Sequence, residues 1–243
     1  MKKYDLLHFE KDSELAQAAA NAWLVTVRHS LPGGKPLCVA LSGGRIAKGL
    51  FRSVVEMAQA TDVSLGNVHF FWADERCVPP EDPQSNFSLA DQWLLRPLAI
   101  PREHIHRIPG ELLPEAAARL ANDDIHAHVP HWETGHPVLD RVFLGMGEDG
   151  HIASLFPGTQ TEPTFNTAVY HPVTAPKPPP RRITLSYGAI ILAREVCVLA
   201  SGPGKEHALR TSLNMDGGTP LAEVLKRRAW TTIYTDIDTS DPH

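Results

Sequence analysis

A carboxylate and an imidazole stand two residues apart in segment 140–158, whose sequence is DRVFLGMGEDGHIASLFPG. The pair is Asp149 and His151, and the glycines around it leave the loop with little side-chain bulk. Imidazole exchanges protons near neutral pH, so a histidine beside a carboxylate suits general-base catalysis. The competing interpretation, a structural histidine bonded to a backbone carbonyl, would be preferred for a histidine without such a neighbour.

The same segment contains GMGEDG, which matches the dinucleotide-binding spacing G-x-G-x-x-G. That fingerprint requires a full crossover helix after the glycines and an acidic residue about 20 residues later. Pro157 stops any helix soon after the histidine, and no acidic residue occurs between Glu162 and Glu195. The segment is therefore interpreted as a tight loop that presents Asp149 and His151 at the carboxyl edge of a sheet, and NAD binding is excluded.

Two strand-to-helix turns could bind an anion. At the first, Ser42, Gly43 and Gly44 follow an apolar run, so free N–H groups and a helix dipole could meet a negative charge there. At the second, Lys205 follows the glycines of ASGPG at the start of a predicted helix, where a cation is unfavourable unless an anion is bound. A plain tight turn and a surface lysine are the alternatives, but two such turns in one chain favour a shared anionic ligand.

Further charged residues stand where apolar runs end. Asp74, Glu75 and Arg76 follow the run at 70–73, in the crevice position where α/β proteins bind ligands. Arg181 and Arg182 add two cations after a Pro-rich segment. A solvated strand end is the alternative for the first group.

Short apolar runs alternate with helical patterns along the chain, which predicts an α/β fold with a mostly parallel twisted sheet and helices on both faces. The predicted strands are 37–41, 68–73, 138–144, 196–200 and 231–234, and the predicted helices are 13–28, 46–59, 85–95, 114–128, 205–213 and 221–228. The Pro-rich segment 171–182, HPVTAPKPPPRR, is predicted to be a surface loop rather than an interdomain linker. A single domain over residues 1–243 is expected.

The composition argues against several classes of partner. The chain has 243 residues and a net charge of −5, which gives no electrostatic reason to expect nucleic acid or an anionic membrane surface. No apolar stretch is long enough for a membrane span, and the N-terminal residues lack a secretory core, so a cytoplasmic protein without membrane partners is expected. Three cysteines imply no disulfide framework. The loose spacing of His126, His128, His131 and His136 predicts a solvated surface and no metal site.

Three blocks of sequence resemble the 6-phosphogluconolactonase family. They are LGMGEDGHIASLFP at 144–157, ADERCVPPEDPQSNF at 73–87, and RITLS with the following ASGPGK, in the family's order. The resemblance extends from about Phe9 to Tyr234. It implies hydrolysis of 6-phospho-D-glucono-1,5-lactone to 6-phospho-D-gluconate in the oxidative pentose phosphate pathway, a fold shared with glucosamine-6-phosphate deaminase, and no metal or organic cofactor.

The resemblance also implies roles for individual residues. His151 would activate water beside Asp149, with Arg76 and Asp74 at the substrate, and the phosphate would be held by Arg182, Lys205, Ser42, Gly43 and Gly44. Family members usually carry Ser/Thr-Thr-Pro after the two glycines, whereas this chain has Arg45, Ile46 and Ala47. We expect Arg45 to replace the missing hydroxyl groups as a fork-like phosphate ligand. The alternative is an arginine that faces solvent at an unfavourable helix start.

Three alternative functions are weighed against this one. A glucosamine-6-phosphate deaminase would place a glutamate five residues after the loop histidine, where this chain has Phe156, which cannot transfer protons. A sugar-phosphate sensor would normally carry an output module such as a helix-turn-helix, and no residues remain for one. A thiol enzyme using Cys77 lacks an assigned base. The oligomeric state is left open.

Overall fold

The computed structural model describes residues 3–30, 34–133, 135–158, 168–215 and 217–239. Within these ranges the strands are β1 (Tyr4–His8), β2 (Leu37–Leu41), β3 (Val68–Trp72), β4 (Asp74–Arg76), β5 (Arg141–Gly145), β6 (Tyr170–Thr174), β7 (Arg181–Leu185), β8 (Glu195–Ala200) and β9 (Thr231–Thr235). Six of them form a parallel sheet in the order β1-β9-β8-β5-β2-β3. Helices flank this sheet, which confirms the predicted α/β class.

The α-helices of the described residues are α1 (Asp12–Ser30), α2 (Arg45–Thr61), α3 (Asn86–Ala90), α4 (Pro114–His128), α5 (Tyr187–Leu192), α6 (Glu206–Leu213) and α7 (Pro220–Arg227). α3 continues into a π-helical turn at Asp91–Leu95, so the predicted helix 85–95 is present with a change of winding. Ser85 caps α3, because its side chain accepts a hydrogen bond from the Ser88 N–H. None of the described helices combines the length and apolar composition that a bilayer crossing demands.

The core forms between the parallel sheet and α1. Leu15, Ala19 and Trp23 recur every fourth residue on one face of that helix, and all three are buried. The Trp23 ring lies 5.1 Å from that of Phe143 and 6.2 Å from that of Phe70, centroid to centroid. Each such buried side chain contributes roughly 1.5–3 kcal/mol, so this packing holds the carboxyl ends of the strands at fixed positions.

A second, antiparallel sheet in the order β4-β7-β6 corrects the prediction for the Pro-rich segment. The predicted surface loop 171–182 is wrong at both ends, because β6 includes residues 171–174 and β7 begins at Arg181. Pro172 is tolerated in β6 because that strand lies at the edge of its sheet, where a missing N–H breaks no ladder. Only residues 175–180 form the connection between the two strands.

The order of the parallel strands places a crevice at the centre of the sheet. β2 lies between β3, which follows it in the chain, and β5, so the connections leave β2 and β5 in opposite directions. Ligands of α/β proteins bind outside the carboxyl ends of strands at such a switch point. The sequence did not reveal β1, which pairs in parallel with β9 from Tyr4↔Thr231 to His8↔Thr235.

Candidate active site

A cleft opens at this switch point, and nine of the ten predicted site residues line it. Its walls are formed by Ser42, Gly43, Gly44, Arg45, Ile46, Asp74, Arg76, Gly145, Met146, Gly147, His151, Ala153, Arg182, Ser201 and Lys205. Asp149 is the predicted residue that does not line the cleft, and it lies behind His151.

The loop after β5 fixes the Asp149–His151 pair. The Gly147 N–H donates to the His151 carbonyl over 2.9 Å, and Gly150 has a φ of 76°, in the left-handed region that favours glycine. A Cβ on Gly147 would lie 2.0 Å from His151 Nδ1, so no other residue fits there without moving the imidazole. The glycines of this loop therefore make room for the pair, as predicted.

Hydrogen bonding selects the basic nitrogen of His151. Its Nδ1 is in hydrogen-bond contact with Asp149 Oδ1, which leaves Nε2 as the lone-pair nitrogen of the neutral ring. Burial lowers the pKa of His151 below its ordinary value, although Asp149 acts in the opposite direction. Burial alone would raise the pKa of Asp149, but the hydrogen bond and charge of His151 hold it below its ordinary value. A neutral imidazole beside an ionised carboxylate can accept a proton.

Arg76 and Arg182 form a cationic pair across the antiparallel sheet, where their Cα atoms are register partners. Burial, followed by the charge of Arg76, lowers the pKa of Arg182. The Arg76 Nε is buried without a hydrogen-bond partner among the described residues, while its Nη1 donates to the Gln84 carbonyl over 2.7 Å. Neither arginine has a carboxylate within 4.0 Å in the described ranges. The pair presents positive charge to the cleft, with Asp74 as the nearby carboxylate that acts on Arg182 without a direct ion pair.

Asp74 is occupied by neighbouring side chains. Its Oδ2 accepts a hydrogen bond from Ser154 Oγ over 2.6 Å, and its Oδ1 accepts one from Asn86 Nδ2 over 3.1 Å. Ser154 Oγ in turn lies 3.4 Å from Arg182 Nη1, which donates to it. Asp74 thus positions Arg182 through Ser154. The sequence blocks contain Ser154 and Asn86, but nothing in their spacing assigned them to Asp74.

Glu75 was not predicted as a site residue, yet it organises the approach to the cleft. Its carboxylate accepts hydrogen bonds over 2.8 Å from the N–H groups of Arg76, Asn86 and Phe87, and a longer one from Ser85 Oγ at 3.1 Å. Burial raises its pKa to about 6, and the three backbone donors limit the rise. Glu75 therefore ties β4 to the start of α3.

The glycine turn after β2 presents backbone rather than side chains. Ser42 Oγ donates to the Phe143 carbonyl over 2.9 Å, so that hydroxyl hydrogen is already used. A Cβ on Gly43 would lie 1.8 Å from Asn86 Oδ1, and Gly44 has a φ of 94°. Gly44 is the N-cap of α2 and makes no side-chain cap hydrogen bond. The first N–H groups of α2 therefore lack a side-chain cap at the cleft.

Two more cations stand near this turn. Lys205 is the N-cap of α6, and burial, followed by the charge of Arg45, lowers its pKa. Arg45 lines the cleft, but its Nη1 donates to Asp12 Oδ2 over 2.9 Å, an ion pair that the sequence did not predict. Ser201 is held by Asp236, which accepts from its Oγ over 2.8 Å.

The structure also locates residues weighed in other roles. Phe156 is buried with its ring centroid 4.6 Å from that of His151, and Lys177 Nζ lies 3.4 Å from Asp149 Oδ2.

Burial raises the pKa of the Cys77 thiol to about 11, which makes it a poor nucleophile at neutral pH. His126 contacts His131 over 3.1 Å.

Comparisons with known proteins show which family and fold this chain is similar to. Residues 10–233 match the family described as glucosamine-6-phosphate isomerases/6-phosphogluconolactonase. A 6-phosphogluconolactonase of Haemophilus influenzae is 33% identical over 206 residues, which cover 83% of this chain and 85% of that protein. The structure of 6-phosphogluconolactonase from Trypanosoma brucei superposes with a TM-score of 0.82 at 26% identity and covers 97% of each chain. A monomeric glucosamine-6-phosphate deaminase, at 20% identity and a TM-score of 0.80 over 95% of this chain and 97% of its own, shares the fold.

Proposed function

The chain belongs to the family of glucosamine-6-phosphate isomerases and 6-phosphogluconolactonases, and we propose that it hydrolyses 6-phospho-D-glucono-1,5-lactone to 6-phospho-D-gluconate. This reaction is a step of the oxidative pentose phosphate pathway. The observation that carries the proposal is a neutral His151 backed by Asp149 in the same cleft as Arg76, Arg182 and Lys205. Hydrolysis of a phosphorylated lactone requires a base that deprotonates the attacking water and cations that bind the phosphate group.

His151 acts as the general base. Its Nε2 removes a proton from water while the water oxygen attacks the ring ester carbonyl, and a tetrahedral oxyanion forms. When this intermediate collapses, the bond between the carbonyl carbon and the ring oxygen breaks. The imidazolium returns its proton to the ring oxygen, which leaves as a hydroxyl group. A base of this kind contributes about 10² to 10⁴ in rate.

The cations bind and orient the substrate. Lys205, Arg182 and the N-terminus of α2 all line the cleft, which supports their role as phosphate ligands. The Arg76 Nε, buried without a partner among the described residues, offers a donor to a substrate oxygen. Asp74 keeps Arg182 in place through Ser154 rather than contacting the reacting carbon.

The deaminase alternative is not favoured. Phe156 fills the space beside His151 and also lies 5.6 Å from the Arg182 Cζ, ring centroid to atom. An apolar ring in this position can shield the imidazole from water but cannot relay protons.

A direct test measures acid release from freshly prepared lactone in weak buffer, with and without the protein, at a pH where spontaneous hydrolysis is slow. Protein should accelerate acid release in proportion to its concentration, and His151→Asn should not. Binding of the product without any acceleration would indicate a sugar-phosphate sensor and would overturn the proposal.

A further inference from the structure

A second cluster of histidines lies on the outer strand of the parallel sheet. His69 of β3 stands five residues before Asp74, so at about 3.3 Å per residue the cluster is roughly 16 Å from the cleft along the strand. Three more imidazoles join it: His104, whose ring stacks on that of His69 with centroids 4.3 Å apart, His106, and His128, the last residue of α4. Asp124 lies one helical turn before His128. This cluster has no part in the proposed hydrolysis.

Three donor groups of the cluster converge. His106 Nδ1 lies 3.0 Å from Asp124 Oδ2, and His128 Nδ1 lies 3.0 Å from Asp124 Oδ1. The ligand atoms of the three residues all lie within 4.8 Å of one another, the one group of this kind found among the described residues. Zinc binds nitrogen and oxygen atoms at about 2.0–2.2 Å. The ligand atoms of one zinc site must therefore lie about as close to one another as these three atoms do.

The surroundings hold His106 in place. Its side chain is 5% exposed, and its ring stacks on that of Phe71 with centroids 4.4 Å apart and an interplanar angle of 6°. Its Nε2 lies 2.8 Å from His69 Nδ1. At this distance His69 Nδ1 can accept a hydrogen bond from His106 Nε2. Such a partner on the far nitrogen is what orients a metal-ligating histidine.

We propose that His106, Asp124 and His128 form a binding site for one divalent transition-metal cation of the zinc type. His106 and His128 bind through Nδ1 and Asp124 through its carboxylate, and water completes the coordination. When the metal takes the Nδ1 lone pair of a neutral imidazole, the single ring proton is carried on Nε2 instead, so no net proton is released. His106 then donates from Nε2–H to His69 Nδ1. His128 gives up the hydrogen bond of its Nδ1 to the Asp124 backbone carbonyl. The Asp124 and His128 side chains are 35% and 42% exposed, which leaves an entry path from solvent. Bound metal would tie the end of α4 to the segment before that helix, in which the His106 N–H donates to the Phe70 carbonyl of β3.

Isothermal titration of EDTA-treated, full-length protein with Zn²⁺ tests the site, and thermal melting with and without Zn²⁺ gives a second readout. We expect binding of one equivalent with micromolar or tighter affinity and a raised melting temperature. His128→Gln and Asp124→Asn should each weaken binding at least tenfold.

His126→Gln is the matched control, because His126 lies on the same helix and contacts His131 instead of the cluster. It should bind Zn²⁺ like the parent. All these variants should keep parental lactone hydrolysis, which verifies that they fold. Absence of binding at about 0.1 mM Zn²⁺, or an equal loss in His126→Gln and His128→Gln, would overturn the site.

Discussion

A buried histidine, His106, and a partly buried one, His151, each contact a carboxylate, and they differ at the second ring nitrogen. His106 contacts Asp124 through Nδ1, and its Nε2 is taken by His69. His151 contacts Asp149 through Nδ1, and within the described ranges nothing hydrogen-bonds its Nε2. The free Nε2 of His151 can accept a proton in the cleft, whereas the engaged Nε2 of His106 orients that ring.

His151→Asn therefore should lower kcat by about 10² to 10⁴, because a base of this type contributes that factor. The far-UV spectrum and melting temperature should stay near those of the parent, since the asparagine amide can still donate to Asp149. Steady-state kinetics measure the effect. More than a tenth of the parental kcat in this variant would remove His151 from the mechanism.

Asp149→Asn should change the pH profile as well as the rate. The Asp149 hydrogen bond and charge raise the pKa of His151, while burial lowers it. The parent should lose kcat/KM only as pH falls below the ordinary histidine value of about 6.5, because the base must be neutral. In Asp149→Asn the acid limb should move to still lower pH and the plateau should fall. A limb that stays in place or moves upward would show that Asp149 does not act on His151.

Arg45 is shared between the cleft and Asp12, so two variants are needed to define its role. If Arg45 binds phosphate, Arg45→Ser should raise KM severalfold, whereas Asp12→Asn, which keeps the arginine and removes its partner, should leave KM unchanged or lower it. Both side chains are about half exposed or more, at 63% and 48%, so breaking the pair should cost less than about 1 kcal/mol in stability. A parental KM in Arg45→Ser would show that this arginine does not bind the phosphate.

At the scale of elements, the turn between β2 and α2 is fixed by close contact with α3. Asn86 occupies the space beside Gly43 and donates from Nδ2 to the Asp74 carbonyl over 2.8 Å. Glycine is therefore required at position 43 for packing between the two segments, whether or not a ligand is bound.

Gly43→Ala should displace Asn86 and lower both stability and kcat/KM, the stability by more than about 1 kcal/mol through strain and lost hydrogen bonds. Gly49→Ala in α2 is the matched control. Its new Cβ would meet Ala16 at an ordinary 3.5 Å, and alanine favours a helix interior by about 0.5–1 kcal/mol, so stability should rise slightly. Chemical denaturation compares the two. Equal stabilities would contradict the packing argument.

The elements that could be predicted from sequence were those with strong local signals. β2, β3, β5, β8 and β9 are rich in apolar, β-branched and aromatic residues, and the long helices have a clear apolar face. β4, β6 and β7 are short, charged or Pro-containing, and they are strands only because they pair with one another.

The same limit applies to the site. The sequence singled out Arg45 and the turn that contains Ser201, but the partners Asp12 and Asp236 lie 33 and 35 residues away and meet them only in the folded chain. No local pattern could have revealed these contacts.

At the scale of the molecule, the cleft gathers residues from Ser42 to Lys205. A ligand that contacts several of them should stabilise the whole fold by mass action. At 100 times its Kd, 6-phosphogluconate should add about 2.7 kcal/mol, or roughly 5–10 °C in melting temperature for a protein of this size.

The same ligand should stabilise His151→Asn almost as much as the parent, because the phosphate cations are intact there. Lys205→Ala should weaken product binding about ten- to a hundredfold, through loss of a charge-assisted contact, and so shift the melting temperature less. Calorimetric titration gives the affinities. Parental affinity in both Lys205→Ala and Arg182→Ala would place the phosphate elsewhere.

The pairing of β1 with β9 determines how late in synthesis the parallel sheet can assemble fully. Among the strands of the parallel sheet, β1 leaves the ribosome first, and β9, its partner from Tyr4↔Thr231 onward, leaves last. The contact spans nearly the whole chain, so it cannot form during most of synthesis. Until β9 emerges, the nascent chain exposes the edges of β1 and β8 with which β9 pairs. The chain most needs a chaperone while these edges are unpaired.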